Sequence, residues 1–201
     1  MRETLAEQTQ SAFDFISKLY FETSYLIKEV EGQLHQEKEE FVIGRPSGYA
    51  VTTRTSTGLD PANVEMWLPK DLTVFFVPKT LTETRRGQTY TPLTESLRVL
   101  LLHIQLHGKH LDEPRIVAGC ISQVRSKKES VKKFESVMWT FAYHTSKVFD
   151  ALPAISYEQA SCSYKGEAYE EPLYSINSAE DVERLLVRPM VELYRQHSPS
   201  T

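Results

Sequence analysis

Between residues 11 and 38 the side chains of Phe13, Ile16, Tyr20, Thr23, Ile27, Val30 and Leu34 recur at alternating spacings of three and four. That period lays them along one stripe of an α-helix, and Leu19 and Leu26 widen it. Ser11, followed three residues later by Asp14, reads as a helix start of the capping-box kind with a shorter acid. The run HQEKEE is too polar to continue a buried face, so the helix is expected over about 11–38. Something must cover such a stripe. The spacing admits a coiled-coil homodimer through this helix, while Tyr20 and Thr23 at seam positions suit packing on a sheet equally well. Glu37, Glu39 and Glu40 oppose the macrodipole at the C-terminal end, which should fray unless the following strand holds it.

From residue 41 the period changes to two. Tyr49, Val51, Thr53 and Thr55 alternate with Ala50, Thr52 and Arg54, while VEMWL and LTVFFVP form two further short runs set off by turn-forming GLDPAN and LPKD. Strands joined by short turns are expected through residue 124. Residues 79–92 are polar and lack apolar periodicity, which reads as a loop. Lys79, Arg85 and Arg86 make it the most basic surface segment, and with Arg45 in the turn GRPSGY they are the candidates for binding a small anion or nucleotide. GRPSGY lacks the Lys-Ser/Thr ending and the following helix of a P-loop.

Three of the six histidines, His103, His107 and His110, fall in RVLLLHIQLHGKH. On a helix, His103 and His107 would be one turn apart and could share a metal with His110 and a carboxylate such as Asp112 or Glu113. On a strand they stand roughly 13 Å apart, too far for one ion. The strand explains more. LHIQLH alternates strictly, RIVAGCISQV is rich in β-branched residues, and GKHLDEP supplies a turn between them, whereas a helix leaves Val99, Leu102 and Leu106 on its far side. In the hairpin the histidine face is expected to run from core towards solvent. Cys120 would lie across from the 98–107 strand, near enough to His103 or a neighbour to ask whether the two form a nucleophile–base pair.

Residues 130–149 again show helical spacing, with Val131, Phe134, Val137, Met138, Phe141, Ala142 and Val148 on the apolar side and Ser126 or Ser130 available as a cap. ISYEQASCSYKGEAYEEPLYSI reads as a hairpin over about 155–175 turning at Lys165-Gly166, with Pro172 confined to an edge or an end. Ser178 and Asp181 form the start signal of a last helix over about 179–196, which Pro189 should bend or split.

A chain of 201 residues with 40% hydrophobic content can bury a full core without disulfides or metals. Its formal charge of -4 gives no general attraction to nucleic acid or anionic lipid. No run approaches the roughly 20 apolar residues of a membrane span, and MRETLAEQTQSAFDF is unlike a secretory leader, so a cytosolic protein is expected. Two isolated cysteines make neither a disulfide framework nor a cysteine-based zinc site. With no repeat and no composition break, residues 1–201 read as a single α+β domain: a mainly antiparallel sheet with a long N-terminal helix and two further helices packed on it. No catalytic signature is present and no cofactor is implied. The leading expectation is a non-enzymatic regulatory, ligand-sensing or protein-interaction module; a metal-dependent enzyme using the histidine cluster and an anion-binding protein are the alternatives.

Overall fold

The first helix begins upstream of Ser11, at Thr4. In the computed structural model, which describes residues 4–44, 51–52, 70–108, 111–142, 149, 152–158 and 161–197, helix α1 spans Leu5–Gln36. The Thr4 hydroxyl accepts the Glu7 backbone N–H at 3.3 Å, and the Glu7 carboxylate accepts the Thr4 backbone N–H at 2.7 Å. This reciprocal pair satisfies two N-terminal donors at once, which the shorter Asp14 could not do as well for Ser11. The acidic C-terminal end is held by cations from elsewhere in the chain. Arg195 bonds Glu37 at 3.0 Å and Glu39 at 3.3 Å, and Lys79 bonds Glu40 at 2.9 Å.

The strands are β1 (Phe41–Ile43), β2 (Val51–Thr52), β3 (Asp71–Pro78), β4 (Glu83–Arg85), β5 (Gln88–Tyr90), β6 (Val99–Gln105), β7 (Arg115–Ser126), β8 (Ala154–Glu158) and β9 (Cys162–Pro172). Seven of them form one antiparallel sheet in the order β1-β3-β6-β7-β9-β8, with β2 pairing with β3 beyond β1. The β6–β7 hairpin is the one expected from LHIQLH and RIVAGCISQV, in a register that sets His103 opposite Val117. Residues 79–92 are more ordered than their composition suggests. They contain the small β4–β5 hairpin, turned by Arg86 and Gly87, both at positive φ (52° and 74°), as a two-residue hairpin turn requires.

The second hairpin turns in a different place from the one expected. Lys165 and Gly166 lie inside β9, opposite Ser156 and Ile155 of β8, and the connection precedes Cys162. Gly166 is there for close approach: a Cβ on it would stand 2.3 Å from the Cys120 carbonyl oxygen of β7. Pro172 ends β9, where its missing N–H costs no ladder bond.

Helix α2 (Glu135–Ala142) starts later than the periodicity of 130–149 indicates, and residues 143–148 of that expected helix lie outside the described residues. The segment before it pairs instead with the chain after β5, through a bridge between Pro92 and Lys133 and bonds from Phe134 N–H to Thr91 C=O and from Leu93 N–H to Lys132 C=O. The C-terminal helix α3 runs continuously through Ala179–Asp181, a π-helical stretch Val182–Val187 and Arg188–Gln196. Ser178 caps it as expected, accepting the Asp181 N–H. Pro189 neither breaks nor splits it; the turn before proline widens to i→i−5 bonding, with Arg188 N–H donating to Glu183 C=O.

Both faces of the sheet are covered. On one face Leu100, Leu102, Ile104, Ile116, Ala118 and Cys120 pack beneath α3 and the C-terminal part of α1, through Val30, Leu34, Leu186 and Met190. On the other, Val99, Leu101, Val117 and Ile121 pack with Phe134, Val137, Met138 and Phe149. This explains why β3 and β6 read as nearly unbroken apolar runs: a strand buried on both faces has no side to give to polar residues.

Candidate functional site

The strand backbone of residues 99–105 decides the histidine question locally. His103 sits inside β6 and is 1% exposed. Its Nδ1 lies 2.9 Å from the Thr73 hydroxyl, and its ring packs on Phe149 with centroids 4.9 Å apart. The expectation that the histidine face shades into solvent therefore fails at His103, because α2 and Phe149 cover that face. Burial, aided by the charge of Arg115, pushes its imidazole down to about 3. His107 follows the end of β6 and is exposed. His110 lies outside the described residues, as does His144. Asp112 and Glu113 are exposed in the β6–β7 connection. Among the described residues, no group of three or more His, Cys, Asp or Glu side chains could hold a metal ion.

Cys120 stands opposite Leu100, not opposite His103, and belongs to the core on the other face of the sheet. The two side chains are therefore separated by the sheet, which rules out a direct thiol–imidazole pair. Burial pushes the Cys120 thiol up to about 12, and it raises the Cys162 thiol as well. Neither cysteine has the electropositive, open setting of a reactive thiolate.

Lys79 is engaged with Glu40 at 2.9 Å, and Arg85 and Arg86 are exposed at the tip of the β4–β5 hairpin. Arg45 lies outside the described residues. A different arginine is built into the fold: Arg98 lies 4.0 Å above the Tyr194 ring and donates to the Tyr194 carbonyl oxygen, pinning α3 to the start of β6. Glu135 plays a similar part for α2, accepting the Thr91 N–H at 2.7 Å from a half-buried position that raises its pKa.

The surface feature that stands out is α1 itself. Thr23, Val30 and Leu34 are buried against the body, but the helix continues towards its N-terminus for residues 5–22, roughly 27 Å at 1.5 Å per residue. There Leu5 is 80% exposed, Phe13 65% and Phe15 64%, and on the far side Phe21 and Tyr25 are each 62% exposed. Phe21 and Tyr25 make an edge-to-face pair at 4.6 Å, beside the Lys18–Glu22 ion pair at 3.7 Å. Where the helix leaves the body, a cleft of about 170 Å³ opens between Leu19, Thr23 and Leu26 on α1 and Leu173, Tyr174 and Ile176 on the segment after β9. Phe15, Phe21 and Tyr25 fall off the stripe that locates the helix. Large aromatics at positions where a surface helix carries polar residues were the signal for them.

No helix among the described residues is long and apolar enough to cross a membrane. Comparisons with protein-family models, with curated proteins and with solved structures give no match.

Proposed function

We propose that the chain is a non-enzymatic interaction or regulatory module of the cytosol that self-associates through the N-terminal half of α1. The observation that carries this reading is the exposure of Leu5 on the side of the helix whose residues farther along are buried, with Phe13 and Phe15, also exposed, flanking that side on either hand. Most helical stability in proteins comes from covering an apolar face. A partner surface supplies that cover. Of the described candidates for other chemistry, His103 is engaged in the core and Cys120 is a buried thiol.

Light scattering of the full chain tests the reading. A dimer at tens of micromolar that dissociates when Phe13 and Phe15 are both changed to Glu, in a protein that keeps a cooperative melt, is the expected result. A monomer throughout that range removes self-association.

A further inference from the structure

We infer that two copies of α1 pair antiparallel, centred on Asp14, with Leu5 of the second copy seated at the cleft beside Thr23, Leu173 and Tyr174. This deepens the self-association proposed above and rests on it.

The seam of α1 runs Leu5, Thr9, Ala12, Ile16, Leu19, Thr23 at spacings of four and three, continuous with buried Val30. Antiparallel pairing about residue 14 sets Thr9 against Leu19 and Ala12 against Ile16 of the second copy, each level joining a large side chain to a small one, the arrangement that fills space without voids. It brings Leu5 to the level of Thr23, whose own side chain is covered by the body, so that Leu5 meets the cleft walls Leu19, Leu173 and Tyr174. Parallel pairing would stack Ile16 on Ile16 and Leu19 on Leu19 and leave Ala12 facing Ala12.

The body of the protein excludes the parallel arrangement more directly. From Thr23 onward the same side of α1 is occupied by its own sheet and by α3, with Val30 and Leu34 fully buried. A parallel second helix would have to run on through that volume. An antiparallel one needs only residues 5–23 and stops where the body begins, and at that level the cleft of about 170 Å³ lies open. The seam over residues 5–23 carries no charged side chain, so nothing on it is desolvated at a cost.

The area suits a reversible contact. Covering Leu5, Phe13 and Phe15 (80%, 65% and 64% exposed) and the half-buried Ile16, Leu19 and Tyr20, at roughly 200 Å² per large side chain, removes about 500 Å² per copy and about 1,000 Å² in the pair, the threshold of a specific interface. The two copies relate by a twofold axis, so the interface closes at two.

The test is a Leu5→Cys, Tyr174→Cys double variant of the full chain, oxidised at a concentration where light scattering reports a dimer. Within one copy these positions are separated by roughly 27 Å of helix, far beyond disulfide reach, and the native Cys120 and Cys162 are buried. A disulfide-linked dimer that dithiothreitol resolves, absent from either single variant, is expected. A dimer without cross-link in the double variant, or cross-linking by Leu5→Cys alone, overturns the antiparallel register while leaving self-association standing. A monomer mass before oxidation overturns both.

Discussion

The Thr73 hydroxyl and Nδ1 of His103 lie 2.9 Å apart across the β3–β6 pair, at the centre of the sheet. Both residues are buried, so the bond satisfies polar atoms that water does not reach. Thr73→Val keeps the shape and removes the partner, leaving a ring nitrogen unpaired. We expect a loss of about 1–3 kcal/mol, read as a lower urea midpoint at unchanged slope. A loss under about 0.5 kcal/mol would mean that this bond does not hold His103 in place.

The same histidine sets a pH dependence. Unfolded, it takes up a proton near 6.5; folded, burial withholds the proton until about 3. Because the depressed value belongs to the folded state, the stabilisation is complete above about 6.5 and is lost as pH falls towards 3, at up to about 1.4 kcal/mol per pH unit. Glu7, Glu40, Glu158 and Asp181, held below the usual carboxylate range by their hydrogen-bond partners, add losses only at lower pH. Half-buried Glu135, whose pKa burial raises, acts in the opposite sense because the folded state binds its proton first, so it is the change in slope between pH 6 and pH 5 on His103→Gln that isolates the histidine, and the variant should lose less stability there. Equal slopes in both proteins would assign the effect elsewhere.

Glycines 166 and 32 should respond to alanine in opposite directions. In Gly166→Ala the new Cβ meets the Cys120 carbonyl oxygen at 2.3 Å, between two strands that cannot part without losing ladder bonds, and a loss of about 3 kcal/mol is expected. Gly32 lies on the exposed side of α1 with nothing within 4 Å of the added atom, so Gly32→Ala should gain about 0.5–1 kcal/mol from helix propensity. Thermal melts of the two variants check both signs, and a stable Gly166→Ala would contradict the β7–β9 spacing.

Both thiols should be silent in the native protein. With Cys120 buried and pushed up to about 12, and Cys162 buried and raised, a thiol reagent at pH 8 should label neither until urea unfolds the chain, and then both. Native-state labelling of Cys120 at the rate of a free thiol would refute its placement under α3.

Arg98 offers a test of how α3 is fastened. Arg98→Met keeps the aliphatic stem and removes both the guanidinium over Tyr194 and its bond to the Tyr194 carbonyl. A loss of about 1–3 kcal/mol is expected in chemical unfolding, and no loss would mean that Arg98 does not fasten the helix.

Much of the architecture was legible in short windows. The three-and-four spacing located α1, strict alternation in LHIQLH favoured β6 over a helix, and Ser178 with Asp181 marked the start of α3. Errors arose where a local signal competed with a distant one. Lys165-Gly166 looks like a turn because glycine is common in turns, yet Gly166 answers to the Cys120 backbone more than forty residues away. The reading of His103 as bordering solvent was a fair account of an alternating strand with one dry face, and it failed because Phe134, Val137, Met138 and Phe149 cover the second face.

What the sequence by itself determined is periodicity: which segments are helix or strand, and which side chains share a side, since both depend on backbone repeats over a few residues. What only the tertiary structure decided is which of those sides is covered. His103 became a core residue, Cys120 was placed across the sheet from it, and the first half of the α1 stripe was left exposed. Burial depends on segments brought together from distant parts of the chain, and no local repeat records where one element ends relative to another.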